Sequence, residues 1–214
     1  MAAGPGTGAR RRAGRWPAGG TAIAGAIVGY AVYRRWQSRW GATDEEVARE
    51  LPGDDLVTRP WLSATRAIWI EATPDRVWPW IVQMGGYRRA GWYSYDRIDN
   101  AGRPSAERIV PALQDLAVGD VMPTTPDGGG FRVEALDPGR SLVLAIRHPD
   151  GVVSSVFVLR EPEPGRTRLV TRLRFQVRPS LRAVVWAMAM DAGDFVMFRR
   201  TLLGIRERAE RHAG

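Results

Sequence analysis

The sequence predicts an α+β fold: a curved antiparallel sheet holding a long C-terminal helix across one face, with an N-terminal membrane helix ahead of it. Three observations carry this. Between residues 61 and 177 there are six stretches rich in β-branched and aromatic residues, some joined by tight Pro-Gly turns. From Leu181 onward the apolar residues return at a helical period. Residues 17–33, PAGGTAIAGAIVGYAVY, carry no charge and stand between RRRAGRW and RRWQSRW.

The uncharged segment comes first in the chain. As a helix it spans roughly 25 Å at ~1.5 Å per residue, slightly short of a hydrocarbon core of about 30 Å. Trp16, Tyr30, Tyr33 and Trp36 occupy the places of interfacial aromatics, and the flanking arginines can snorkel. Its large aliphatics are Ile23, Ile27, Val28 and Val32. The expectation is an uncleaved single-pass anchor that meets the membrane through residues 16–36, because no A-x-A-like cleavage site precedes the following arginines. Four arginines precede the segment and three follow it, so the side on which the remainder lies stays open.

Charge and composition then exclude several functions. The net charge of +8 is concentrated in residues 1–40, which hold seven arginines and no acid. A nucleic-acid domain carries its basic excess on the folded body, so no nucleic-acid partner is expected. The absence of cysteine removes disulfides, thiolate metal sites and cysteine nucleophiles. The expected division is a basic tail and anchor over 1–40, a linker over 41–60 and one folded domain over 61–214.

WGATDEEVARELPGDDLVTRP, residues 40–60, reads as a polar connector in which Pro52-Gly53 and Pro60 break any helix begun at Thr43. ATRAIWIEA follows as a strand. Thr73-Pro74-Asp75 starts a helix with Thr at the N-cap and Pro at N1. Val77, Ile81 and Met84 form its apolar face, Pro79 is expected to kink it, and Gly85-Gly86 ends it. After GWYSYDRIDN and the turn AGRPS come the remaining strands, within VGDVMP, FRVEALD, SLVLAIR, VVSSVFVLRE and RTRLVTRLRFQV. Asp137-Pro138-Gly139-Arg140 and Glu163-Pro164-Gly165-Arg166 are tight turns, which make their neighbours antiparallel. In the last strand Leu169, Thr171, Leu173, Phe175 and Val177 face one way; Arg172, Arg174 and Gln176 face the other, predicting one wet side.

Val184, Met188, Phe195, Phe198, Leu202 and Ile205 stripe the terminal helix. Asp191-Ala-Gly-Asp194 is expected to divide it, with Asp194 capping the second half. LRAVVWAMAM, residues 181–190, is apolar nearly all round, which implies burial or a surface meeting lipid or a partner.

The chemistry available is sparse. His148 sits before a turn and His212 near the end, both expected to be solvated, with no Ser-His-Asp arrangement. No metal-ligand set or nucleotide loop is visible, since GPGTGA follows no strand; no metal and no cofactor is expected. Attention therefore falls on GWYSYDRIDN. On a helix Trp92, Tyr95, Asp96 and Asp99 would share a face. One reading makes them the mouth of a cavity, with Tyr95, Asp96 and Asp99 as candidates for catalytic proton transfer. The other makes the aromatics packing and gives the carboxylates to Arg88, Arg97 or Arg103, or to a turn. Trp69, Trp78, Trp80, Phe157, Phe175, Phe195 and Phe198 supply a core. The side chains expected against any bound molecule are Trp80, Met84, Trp92, Tyr95, Phe175 and Phe195.

The element order, together with TPDRVWPWIVQMG, AGWYSYDRIDNAGRPSA, LQDLAVGDVMP and FVMFRRTLLGIRERAE, resembles the START-like helix-grip superfamily. Within it the chain is most similar to uncharacterised bacterial polyketide cyclase/dehydrase-like (SRPBCC) members, over roughly residues 60–212. The resemblance implies an apolar cavity between the sheet and the last helix. It also implies a seventh strand, hidden near AERIVP or absent. It assigns no activity to any residue. The expected function is membrane-tethered binding of a small hydrophobic molecule, by resemblance a lipid, isoprenoid or polyketide-like compound. The alternatives are a cyclase or dehydratase acting on a polyketide-like substrate, and an interaction module docking through the 181–190 run.

Overall fold

The computed structural model describes residues 18–149, 151–177 and 181–211, with the side chains of 18–24, 177 and 181–192 outside that description. His212, Trp16 and the side chains of the apolar 181–190 run therefore lie outside the described residues. Two compact units divide between Trp36 and Gln37.

Helix α1 (Ala18–Gln37) belongs to the first unit except for its last residue, Gln37, which belongs to the second. Among the described residues no helix is long and apolar enough to cross a membrane, so the expected anchor is not supported. The cause is compositional: Ala and Gly fill much of α1, and Arg34 and Arg35 enter its last turn.

The second unit holds α2 (Asp44–Ala48), β1 (Leu62–Ile70), α3 (Pro74–Val82), α4 (Asp96–Asp99), β2 (Val121–Pro123), β3 (Gly130–Asp137), β4 (Ser141–His148), β5 (Gly151–Glu163), β6 (Arg166–Val177) and α5 (Leu181–Arg211). The six strands form one antiparallel sheet in the order β1-β6-β5-β4-β3-β2. Among the described residues the AERIVP stretch forms no strand, so the seventh is not there. The two Pro-Gly turns close β3 to β4 and β5 to β6, with Gly139 and Gly165 at positive φ as such turns demand. Pro74 occupies N1 of α3, and Pro79 lies inside the helix without ending it.

The sheet has an inner face toward α5 and an outer face away from it. Register assigns Leu62, Ala64, Arg66, Ile68 and Ile70 of β1 to the inner face beside the odd-numbered residues of β6 from Thr167 to Phe175. The larger hydrophobic cluster lies there, from Ile70, Leu142, Phe157 and Leu169 to Val77 and Ile81 of α3 and Leu202 and Ile205 of α5.

The centre of the outer face is not wet. The stretch expected to be a connector lies on it. The Ser38 and Trp40 carbonyls accept hydrogen bonds from the Thr65 and Ala67 N–H groups on the free edge of β1. A capping box at Thr43 and Glu46 then starts α2. Leu51 and Leu56 join Ala67, Val143, Val156, Val158 and Val170 in a second cluster. Arg172, 3% exposed, uses all five of its N–H donors. Nε donates to Thr65 Oγ1 (2.9 Å), Nη1 to Asp54 Oδ2 (2.5 Å) and the Arg49 carbonyl (2.9 Å), and Nη2 to the Glu46 and Val47 carbonyls (each 2.9 Å). Those carbonyls close the C-terminal end of α2, where a cation is favoured. Arg168 forks onto both oxygens of Glu46 (2.7 Å each). The alternation of arginines is thus a ladder of ties, because a guanidinium on a sheet can reach several carbonyls of a segment crossing over it.

Helix α5 is continuous through Asp194, correcting the expected division. Asp194 spends its carboxylate on a residue of the sheet instead of on a cap.

Candidate functional site: a cavity under the last helix

The stretch GWYSYDRIDN is held against α5 by backbone geometry that its sequence sets up. Gly91, at φ 83°, pairs with Gly85 across an isolated bridge. Tyr93 follows in the left-handed region at φ 56° and buries its ring. Its hydroxyl donates to the Trp80 carbonyl (3.1 Å) and accepts from Gln83 Nε2 (2.9 Å), while the Arg208 guanidinium lies 4.6 Å from the ring centre. Burial pushes the Tyr93 phenol far up, so it stays protonated. A Cβ on Gly204 of α5 would collide with the Tyr93 carbonyl, so glycine there is what lets helix and loop touch. Ser94 Oγ donates to the Met197 carbonyl of α5 (3.0 Å).

Between this stretch, α5 and the inner face of the sheet lies a cavity of about 650 Å³. That is within the range of small-molecule sites, ~300–1,000 Å³. Leu62 and Ala64 of β1, Leu173 and Phe175 of β6, Val153 and Phe157 of β5, Leu144 and Ile146 of β4 and Phe131 of β3 form its sheet wall. Trp92, Ile98, Asp99, Asp194, Met197, Phe198 and Thr201 close the other side. Trp92 meets Phe131 edge-on at 6.2 Å, and its Nε1 donates to the Pro123 carbonyl (3.2 Å). Phe157 and Phe198 stack at 5.8 Å.

Two of the lining residues are acids. Asp194 is neutralised: Arg66, 1% exposed, donates to its Oδ2 at 2.8 Å and satisfies its remaining reach on Gln37 (3.1 and 2.9 Å). The same guanidinium lies 5.3 and 5.5 Å from the ring centres of Phe195 and Phe198. Asp99 differs. Both of its carboxylate oxygens are shielded from solvent and receive no hydrogen bond among the described residues. Burial raises its pKa and the neighbouring Asp96 charge raises it further. Ser94 and the Asp99 N–H oppose this only in part, since Ser94 Oγ donates to Met197 and the N–H to the Tyr95 carbonyl.

The sequence-predicted residues are dispersed by the fold. Trp92, Asp99 and Phe175 line the cavity. Trp80 and Met84, both buried, stand in the packed core, and Phe195 packs against Arg66 and Trp40. Tyr95 is 44% exposed and is not among the residues that line the cavity. Asp96 accepts from Ser105 N (2.9 Å) and Oγ (2.5 Å), closing the 96–105 turn. The shared helical face does not form, because α4 begins only at Asp96 and Trp92 enters from a loop. His148 is exposed at the end of β4. The Arg66–Asp194 pair was missed: one Arg in an apolar strand and one Asp in an apolar helix stripe were the available signal. Met197, Phe198 and Thr201 stand three, four and seven residues after Asp194, a spacing that also marks the cavity side of α5.

A sheet of order β1-β6-β5-β4-β3-β2, crossed by the terminal helix with a hollow between them, decides the architecture. The fold is a helix grip. No family model and no curated protein matches the chain. Among solved structures this helix grip is similar to a protein from Mesorhizobium loti at 16% identity and a TM-score of 0.43, over 71% of this chain and 98% of that one. It is similar to the Aha1 dimer from Colwellia psychrerythraea at 16% identity and a TM-score of 0.40, over 72% and 99%. A START superfamily protein from Mycobacterium smegmatis shares 11% identity at a TM-score of 0.38, over 68% and 97%.

Proposed function

We propose that this helix grip binds a small hydrophobic molecule, a lipid, isoprenoid or polyketide-like compound, in the cavity beneath α5. One observation carries the reading: a volume of about 650 Å³ walled mainly by aliphatic and aromatic side chains. Solvent extraction of the purified protein followed by mass spectrometry tests it. An apolar compound recovered from the native chain, and absent from an Ala64→Phe variant, is the expected result. Repeated recovery of nothing from a folded native chain overturns it.

Membrane contact belongs to the same proposal, as surface attachment and not as a span. Ile27, Val28, Val32 and Trp36 are each more than half exposed on α1, beside Arg34 and Arg35. Aromatic and aliphatic side chains flanked by arginines favour a headgroup boundary. Co-sedimentation with anionic vesicles, weakened by salt, is the expected outcome.

A second reading, a cyclase or dehydratase, is favoured by Asp99 alone. A carboxyl whose pKa burial raises, on a cavity wall, can hold a proton and deliver it. Tyr95 is exposed and Asp96 is committed to Ser105, so the chemistry would rest on Asp99. Product formation from a polyketide-like substrate, lost in Asp99→Asn with binding retained, would establish it.

A further inference from the structure

The two acids on the cavity wall carry different obligations. Asp194 has its cation at 2.8 Å. Among the described residues Asp99 has no cation, its oxygens receive no hydrogen bond because Ser94 Oγ and the Asp99 N–H bond elsewhere, and no arginine or histidine lines the cavity. A carboxylate shielded from water and left without a donor is costly, so a group that supplies one gains more there than in water. The position of Asp99 gives a direction as well. Its neighbour Ile98 lines the same cavity and is 68% exposed, whereas Leu144 and Phe157 on the sheet wall are each 1% exposed. The acid therefore stands near the solvent side of a hollow whose deep side is hydrocarbon.

We propose that the cavity selects amphipathic guests by a hydrogen-bond donor on the head, an alcohol, phenol or amine, which Asp99 accepts, and that it rejects free carboxylic acids. This rests on the cavity being a binding site. The guest's tail lies against Leu144 and Phe157, and its head stays by Asp99 and Ile98. A guest carboxylate in that position would meet Asp99 with no cation to hold it. The charge of the guest and that of the ionised Asp99 would repel across a poorly solvated gap.

Three probes of one chain length separate the possibilities: dodecan-1-ol, dodecylamine and dodecanoate, titrated into the full-length chain with displacement of an apolar fluorophore as the signal. The expected order is amine and alcohol ahead of carboxylate by about ten- to a hundredfold, the range of a hydrogen bond to a charged group. In Asp99→Leu that preference should fall to within about threefold. Asp99→Asn, which keeps the shape of the side chain, should lose the amine preference and admit dodecanoate more readily. Thermal melts confirm that each variant is folded, and the Asn variant decides the matter if the Leu variant is not. Equal binding of all three probes overturns the head-group assignment and leaves the cavity reading intact. So does an unchanged order in Asp99→Asn, or dodecanoate binding most tightly. No binding of any probe, with the fluorophore also excluded, overturns both.

Discussion

The two faces of the sheet use the same strands for opposite ends. On the outer face the centre is closely tied: Arg172 saturates its donors, Arg168 forks onto Glu46, and Val156, Val158 and Val170 close against Leu51. On the inner face the apolar residues of β1, β4, β5 and β6 leave about 650 Å³ unfilled, and one carboxylate goes without a donor. A chain that ties down its outer surface so fully can leave its inner surface hollow, because the stability lost to a cavity is made up elsewhere. The difference teaches that the segment over residues 38–58 is part of the domain's structure, while the space beneath α5 is where the proposed guest would be accommodated.

The strongest blow to that contrast is Asp54→Ala. It strands Arg172, 3% exposed, and removes the partner that Arg174 meets at 3.1 Å, so unfolding by urea should show a loss of about 3–5 kcal/mol. Next comes one substitution on two faces of one strand. Ala67→Phe drives a ring into the packed outer cluster and should cost about 3 kcal/mol, with a lowered thermal midpoint. Ala64→Phe enters the cavity, should stay within about 1 kcal/mol of the native chain, and should abolish binding of apolar probes. Equal destabilisation at the two positions would mean that the inner face is as tightly packed as the outer.

The smallest expected effect is on pH dependence. The folded chain holds the Asp99 proton more tightly than the unfolded chain, because burial and Asp96 both raise its pKa. The ionisation penalty is therefore absent below the unfolded value of about 3.9 and develops as pH rises through the folded one. Asp99→Asn should be more stable than the native chain at neutral pH, and the advantage should close in acid. A constant difference across pH would show that Asp99 ionises as freely in the fold as out of it.

Much of the frame was legible. Stretches rich in β-branched and aromatic residues located all six strands, Pro-Gly pairs located the tight turns, and the stripe Phe195, Phe198, Leu202, Ile205 located the long helix. These depend on neighbours a few residues apart, which a sequence displays directly. In the sequence the arginines at 172 and 174 read as a solvated face because their partners lie more than a hundred positions away in the chain. The continuity of α5 through Asp194 was hidden for the same reason, since Arg66 claims that carboxylate across 128 positions. The uncharged segment is a weaker signal: freedom from charge is visible in the letters, but Ala and Gly add little hydrophobicity, and no described helix is long and apolar enough to cross a membrane.

The site divides along the same line. Trp92, Asp99 and Phe175 could be singled out because aromatics beside acids, and aromatics in an alternating strand, are unusual enough to notice. Separating Asp99, unpartnered on the cavity wall, from Asp96, three positions earlier and bonded to Ser105, needed the folded turn. By itself the sequence determined the strands, their antiparallel hairpins and the amphipathic terminal helix, because local periodicity and turn chemistry act over short spans. Only the tertiary structure decided which face is covered, where space remains and which acid stands alone. Those outcomes depend on side chains meeting across long loops, where burial sets the cost of each unmatched group.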